Sequence, residues 1–203
     1  MQYLLLVFGY LVGSIPFGLL YGRLAGVDVR GRGSGNIGAT NVNRLLGKKL
    51  GFLTLASDLL KGMLPMLIAA LLLGSRPDAE LLIILTGLAA FAGHCWPVYL
   101  RFRGGKGVAT ALGIFLYLAP LPTLGAIAVF AATVGLSGYV SLGSIAAALS
   151  MPVIIALAGG AAALLPVSTA IAAVIVFKHW DNIGRLRRGE EKSWKGKGHG
   201  ETE

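Results

Sequence analysis

The sequence predicts an all-α membrane protein, a bundle of seven transmembrane helices with the N-terminus outside and the C-terminus cytoplasmic. Three observations carry this. Hydrophobic residues make up 55% of the 203 residues and charged residues 13%, with a mean hydropathy of +0.75; a soluble domain carries about 25% charged residues. The apolar residues come in long blocks, as a membrane span of about 20 residues requires. The basic residues fall in alternate loops.

Taken in order, the blocks lie near residues 2–22, 50–73, 80–100, 107–119, 121–137, 141–158 and 161–178. The first contains Ser14 and Pro16, has no basic leader and runs on to Tyr21 without a small-residue cleavage site, so it reads as a retained span. The fourth is short and is followed by Ala119-Pro120-Leu121-Pro122; it is either a full span or half of a re-entrant pair with the fifth. Spans and short loops use up the chain, so 1–203 reads as a single integral-membrane domain.

Arg23, Arg30, Arg32, Arg44, Lys48 and Lys49 follow the first span, Arg101, Arg103 and Lys106 the third, and Lys178, Arg185, Arg187, Arg188, Lys192, Lys195 and Lys197 the last. The opposite loops hold Arg76 beside Asp78 and Glu80. The positive-inside rule then sets the orientation and accounts for the net charge of +9 without a nucleic-acid partner. The tail from Arg187 to Lys197 is either a solvated end or one that leans on anionic lipid. The single Cys95 excludes an internal disulfide, no Cys/His metal spacing occurs, and no metal or other cofactor is expected.

This topology places four polar segments at the cytoplasmic face. The first, Gly31 to Arg44, is rich in glycine, hydroxyls and amides: Ser34, Gly35, Asn36, Ile37, Gly38, Ala39, Thr40, Asn41 and then Arg44. Glycines can turn backbone N–H groups inward around an anion, and arginine adds a bidentate charge. The GxGxxG match at Gly33, Gly35 and Gly38 lacks the strand that a dinucleotide fingerprint needs, and Ala39-Thr40 stands where a phosphate-binding P-loop has Lys-Ser/Thr. The alternative is a flexible interfacial turn. The second segment, Arg103-Gly104-Gly105-Lys106-Gly107-Val108-Ala109-Thr110, sets a lysine at a helix start, where the dipole favours an anion; the alternative is a plain basic anchor. The third holds His179, Asn182, Arg185 and Glu191, with 179 and 182 on one helical face. His179 reads either as a polar cap or, beside an anion site, as a base or orienting donor. The fourth is the short loop Ser137–Ser144, which includes Ser141. Inside the spans, Asp58 and Lys61 are spaced for a mutual ion pair that fixes helix packing, and His94 reads as structural.

No nucleophile–base signature is visible. The H-x-x-x-x-D pattern of acyl-CoA acyltransferases is absent, since Tyr99 and Gly184 stand at that offset from His94 and His179. Anion clamps beside a lipid-accessible bundle suit reactants that bring their own activation. A transporter would share the clamps, but such folds carry repeats and midplane sites, and neither is evident. A non-catalytic lipid-binding scaffold would not need Ser34, Lys106 and Asn182 together.

Three motifs occur in order: Ser34-Gly35-Asn36-Ile37-Gly38-Ala39-Thr40-Asn41 with Arg44; Gly104-Gly105-Lys106-Gly107-Val108-Ala109-Thr110; and His179 with Asn182-Ile183, Arg185-Leu186, Gly189 and Glu191. Over essentially the whole chain they resemble the bacterial membrane acyl-phosphate:glycerol-3-phosphate acyltransferases. The resemblance implies a seven-helix enzyme of the bacterial inner membrane with its site at the cytoplasmic face. It implies transfer of a fatty acyl group from acyl phosphate to the 1-hydroxyl of glycerol 3-phosphate, giving lysophosphatidic acid and phosphate, with membrane lipid but no obligate protein partner. It makes Ser34, Arg44, Lys106, His179 and Asn182 the expected catalytic residues. Residues Ser34 to Asn41 would hold one phosphate, while Arg44 and Lys106 neutralise phosphate charge. Lys106, Ser141, His179 and Asn182 would hold glycerol 3-phosphate, with Gly104, Gly105, Gly107 and Arg185 lining the substrates. Glu191 would contact the glycerol hydroxyls or pair with Arg44. The proton could go to His179 or to a substrate phosphate.

Overall fold

The structure, a computed structural model, describes residues 2–194, so Lys195 and Lys197 of the basic tail lie outside the described residues. Among the described residues every regular element is helical, and the chain divides after Leu118 into two units.

In the first unit, the leading apolar block is two helices, α1 (Leu4–Gly13) and α2 (Phe17–Leu24). The expected continuous helix over 2–22 is interrupted at Ser14–Pro16. Proline has no N–H to give and disfavours helical backbone at the residue before it, here Ile15. A 3₁₀ turn (Val29–Gly31) and the short α3 (Ala39–Leu46) follow, then α4 (Lys48–Leu73), α5 (Ala79–Cys95), a second 3₁₀ turn (Val98–Leu100) and α6 (Val108–Leu118). Helix α4 lies against α1, α5 and α6, and α1 runs along α5.

Glycine permits these approaches. Gly9 and Gly13, one turn apart on α1, rest on the backbone of Thr86 and Ala90, and Gly93 rests on that of Tyr10; a Cβ at any of them would overlap the facing chain. Gly62 of α4 packs the same way on Thr110, and Gly113 of α6 on Leu59. Helices in lipid gain little from burying apolar surface against each other, so close contact of small residues supplies much of their association. Helix α6 has 11 residues, about 17 Å of rise, against a hydrocarbon core of about 30 Å.

The second unit holds α7 (Pro120–Ser137), α8 (Val140–Leu157), α9 (Leu164–Lys178) and α10 (Trp180–Arg187), with α8 packed on α7 and α9. Because α8 begins at Val140, Ser141 and Ser144, expected in a loop, sit in its first turns. Helix α10 bends away from α9 by 57°. Among the described residues, five helices are long and apolar enough to cross a membrane, taking α1 and α2 together, and up to six if α9 and α10 form one bent span. All seven apolar blocks are helical; α6 and α9 are the short ones.

Candidate active site

The loop from residue 25 to 38 is built on one buried amide. Asn41, in the first turn of α3, is 1% exposed. Its Nδ2 donates to the carbonyls of Val29 (3.0 Å), Asn36 (2.9 Å) and Arg32 (3.2 Å), and its Oδ1 accepts from Ser34 N at 2.8 Å. Gly33 allows this closure: it sits at φ +64, a left-handed conformation that favours glycine, and a Cβ there would overlap Asn41 Oδ1. Ile37 seats the loop from the other side, buried with Leu19, Val29 and Val42. Both side chains shape the loop.

This changes how the loop could hold an anion. Two amides of the expected nest are committed within the loop, Ser34 N to Asn41 and Gly35 N to the Arg32 carbonyl. Other groups of the segment that suit an anion are the exposed Ser34 and Thr40, the half-buried Arg44 one turn beyond Thr40, and the first amides of α3, whose preceding residue, Gly38, offers no capping side chain. Asn36, Gly38 and Ala39 are half-buried and Gly35 is exposed. Arg30, counted as a topology anchor, is paired with Asp28 (side-chain contacts from 2.6 Å). Hydrogen bonds from the Arg30 side chain and amide hold the Asp28 carboxyl below the usual carboxylate range. Asp28 escaped the sequence reading, although an Asp two residues ahead of an Arg at a turn is a capping signal.

In the second segment, Gly105 and Gly107 are buried, with Gly104 and Lys106 half-buried. Gly105 N donates to the His94 carbonyl at 3.1 Å, and Gly107 packs on the Phe91 ring. Thr110, in the first turn of α6, donates to the Asp58 carbonyl at 2.9 Å. Lys106 therefore stands on a segment fastened on both sides, whereas the neighbouring Arg101 and Arg103 are exposed.

In the second unit the polar residues converge on Glu191. Its Oε1 accepts from Ser141 Oγ (2.8 Å) and Asn182 Nδ2 (2.6 Å), and its Oε2 from Arg185 Nε (2.7 Å). The chain reaches this position by the way α10 ends. Gly189, at φ +72, donates to the Leu186 carbonyl and Glu190 N to that of Arg185, a Schellman motif that folds residue 191 back onto the helix. Ser141 lies in the first turn of α8, so the carboxylate also meets the positive end of that helix dipole. The Glu191 side chain is 6% exposed. Burial alone would raise its pKa, but the hydrogen bonds from Asn182, Ser141 and Arg185 outweigh that and hold it below the usual glutamate value.

His179, 2% exposed, occupies the bend between α9 and α10. Its Nδ1 lies 2.8 Å from the Ile175 carbonyl. A carbonyl only accepts, so Nδ1 carries the proton and Nε2 is the basic nitrogen of the neutral ring.

The profile of the glycerol-3-phosphate acyltransferase family matches residues 3–189. The chain belongs to the glycerol-3-phosphate acyltransferase family. This acyltransferase is 52% identical to the glycerol-3-phosphate acyltransferase of Desulfotalea psychrophila over 97% of its own chain and 100% of that one. It is 55% identical to that of Trichlorobacter lovleyi over 92% and 94% of the two chains. Its fold matches a solved integral membrane glycerol 3-phosphate acyltransferase, PlsY, in a glycerol 3-phosphate form (TM-score 0.88, 42% identity, 95% of each chain). The same protein in a lysophosphatidic acid form gives a TM-score of 0.85 at 42% identity, over 95% and 94% of the chains. The acyltransferase is thus an integral membrane protein of phospholipid biosynthesis.

One prediction follows from the acceptor at Glu191. Glu191→Gln keeps the shape but turns one oxygen into an NH₂, which must face either Arg185 Nε–H or the Ser141 and Asn182 donors. A hydrogen bond to a charged group is worth about 1.5–3 kcal/mol, so steady-state assays should show roughly a 10- to 100-fold loss of kcat/KM. The pH dependence has a definite sign. The folded-state pKa is depressed, so the stabilisation from Glu191 is present in full above the unfolded glutamate value, about 4.3, and is lost as the pH falls through the lowered one. The thermal midpoint of the wild-type protein should owe nothing to Glu191 titration between about pH 5 and 8.

Proposed function

We propose that the protein transfers a fatty acyl group from acyl phosphate, not from acyl-CoA, to the 1-hydroxyl of sn-glycerol 3-phosphate, giving 1-acyl-glycerol 3-phosphate and inorganic phosphate. The observation that supports it best is the character of the polar side chains. They are cations, hydroxyls and amides suited to phosphate esters, and the one carboxylate among them, Glu191, is engaged by Ser141, Asn182 and Arg185 rather than free to act as a nucleophile. An acyl phosphate supplies its own leaving group, so the protein need only position it and stabilise charge. The PlsY relative, solved in a glycerol 3-phosphate form and in a lysophosphatidic acid form, supports the acceptor and the product.

In this reading Ser34, Thr40 and the start of α3 hold the donor phosphate, and Arg44 and Lys106 neutralise the charge that grows on it as phosphate departs. Ser141, Asn182 and Arg185, oriented by Glu191, bind glycerol 3-phosphate. His179 Nε2 takes the hydroxyl proton, which could otherwise pass to a substrate phosphate. Residues 1–203 act as one acyltransferase domain of the bacterial inner membrane, with seven crossings, the N-terminus outside and the reacting groups at the cytoplasmic face.

The test is turnover by protein reconstituted in lipid. With acyl phosphate and glycerol 3-phosphate, phosphate and lysophosphatidic acid should appear in equal amounts, and acyl-CoA should give neither. Turnover with acyl-CoA alone would refute the donor assignment. His179→Ala addresses the proton: a fall in kcat of about 100-fold or more is expected of a general base, and retention of most of the rate would assign the proton to substrate.

A further inference from the structure

Beneath the two polar loops of the first unit lies a buried charged cluster that the reaction as described does not use. Lys61 Nζ is 2.9 Å from Asp58 Oδ1, with side chains 2% and 3% exposed. His94 Nδ1 stands 3.7 Å from the same oxygen, and its side chain is 4% exposed. The i,i+3 spacing announces a helix-packing pair, yet each member also reaches a segment that leads to the site.

Lys61 Nζ donates to the Ile15 carbonyl at 2.9 Å and lies 5.9 Å from the centre of the Phe17 ring. It thereby grips the break between α1 and α2. Helix α2 in turn seats the Ser34 loop, since Gly18 lies directly under the Ile37 carbonyl and Gly22 under Val27 and Val29. On the other side, the His94 ring is directly under Gly105, where a Cβ would overlap Nε2, and the His94 carbonyl accepts from Gly105 N. The Asp58 carbonyl holds Thr110. Residues 58, 61 and 94 thus touch the supports of both the Ser34–Arg44 loop and the Lys106 segment.

We propose that Asp58, Lys61 and His94 are positioning residues for acyl transfer, fixing the Lys106 segment and the Ser34 loop relative to each other through the break in the first span. This rests on the functional reading above. A plain packing pair would need neither the tie to Ile15 nor the ring beneath Gly105. Two apolar side chains would pack as well, often with greater stability than a buried ion pair.

The experiment separates folding from alignment. Asp58→Asn and Lys61→Met each leave a buried charge without its partner and should lower the thermal midpoint. The double variant Asp58→Asn/Lys61→Met removes both charges and should restore the midpoint, because no uncompensated charge remains. It should not restore turnover: kcat is expected to stay roughly 100-fold down, the scale of a 1 Å misplacement, with KM for glycerol 3-phosphate changed less than about 3-fold. Recovery of kcat together with the midpoint would overturn the proposal and leave the pair as helix packing. Should the double variant not fold, His94→Gln decides, since it takes the ring from beneath Gly105: kcat is expected to fall about 10-fold with KM for glycerol 3-phosphate changed less than about 3-fold, and wild-type kcat in it would overturn the proposal. Wild-type protein runs alongside, and its inactivity would instead refute the acyltransfer reading on which the proposal stands.

Discussion

Lys106→Ala should lower kcat/KM by about 1000-fold, and Arg44→Ala by a similar factor, while Arg101→Ala should change it less than about 2-fold. All three remove one positive charge near the same face, so a general field effect would make the losses equal. Lys106 stands on a segment fastened at Gly105, Gly107 and Thr110, so the root of its side chain is held in place before substrate arrives. Preorganised charge of this kind, acting where negative charge develops, is worth about 2.7–4 kcal/mol per donor. Arg44 extends from α3 on the face of Thr40. Arg101 is exposed, at φ 50 in the turn after Pro97, and would be screened there by salt and water. Arg44→Lys sharpens the test, since it keeps the charge but loses the two-pronged contact with phosphate. It should recover only part of the loss. The measurement is kcat and KM for both substrates, with ionic strength varied to remove residual surface effects.

The second large effect is expected at the residue that frames the Ser34 loop. Asn41→Asp is isosteric, yet it should be more damaging than Asn41→Ala. The wild-type Nδ2 donates to three carbonyls at 2.9–3.2 Å, and aspartate would set an anionic oxygen against all three. Alanine only removes the donor and acceptor, at about 1–3 kcal/mol for buried groups left unsatisfied. Aspartate adds repulsion between its anionic oxygen and the carbonyl oxygens in a site that is 1% exposed, relieved by taking up a proton or by expelling the loop. We expect kcat/KM down at least about 100-fold in Asn41→Asp, with the larger fall in thermal midpoint also in that variant. The reverse order would mean that Asn41 serves as a ligand rather than as the loop's frame.

The sequence was informative where chemistry is encoded in spacing. Asp58 and Lys61 pair as their i,i+3 separation implies. The apolar blocks are helices with ends close to those expected. It was less informative where partners are set by the path of a loop. Asn41 sits inside a motif suited to phosphate, and its bonds to the chain depend on the folded turn through Gly33, which spacing does not announce. Glu191 had two candidate roles on paper, and the pairing with Arg185 depends on a reversal at Gly189 that hydropathy does not register. The break at Ser14–Pro16 was hidden in another way. Its residues were visible, but the flanking apolar run continues across it, and hydropathy averages over the interruption.

The Schellman turn after α10 has a consequence for the order in which the protein matures. Ser141 is made well before Asn182 and Arg185, and their shared acceptor lies beyond the last of the apolar helices. During synthesis each of these donors must wait until residue 191 itself has been made and folded back through the turn at Gly189. A nascent chain arrested short of residue 191 could insert all its helices and still lack the contact that aligns them for work.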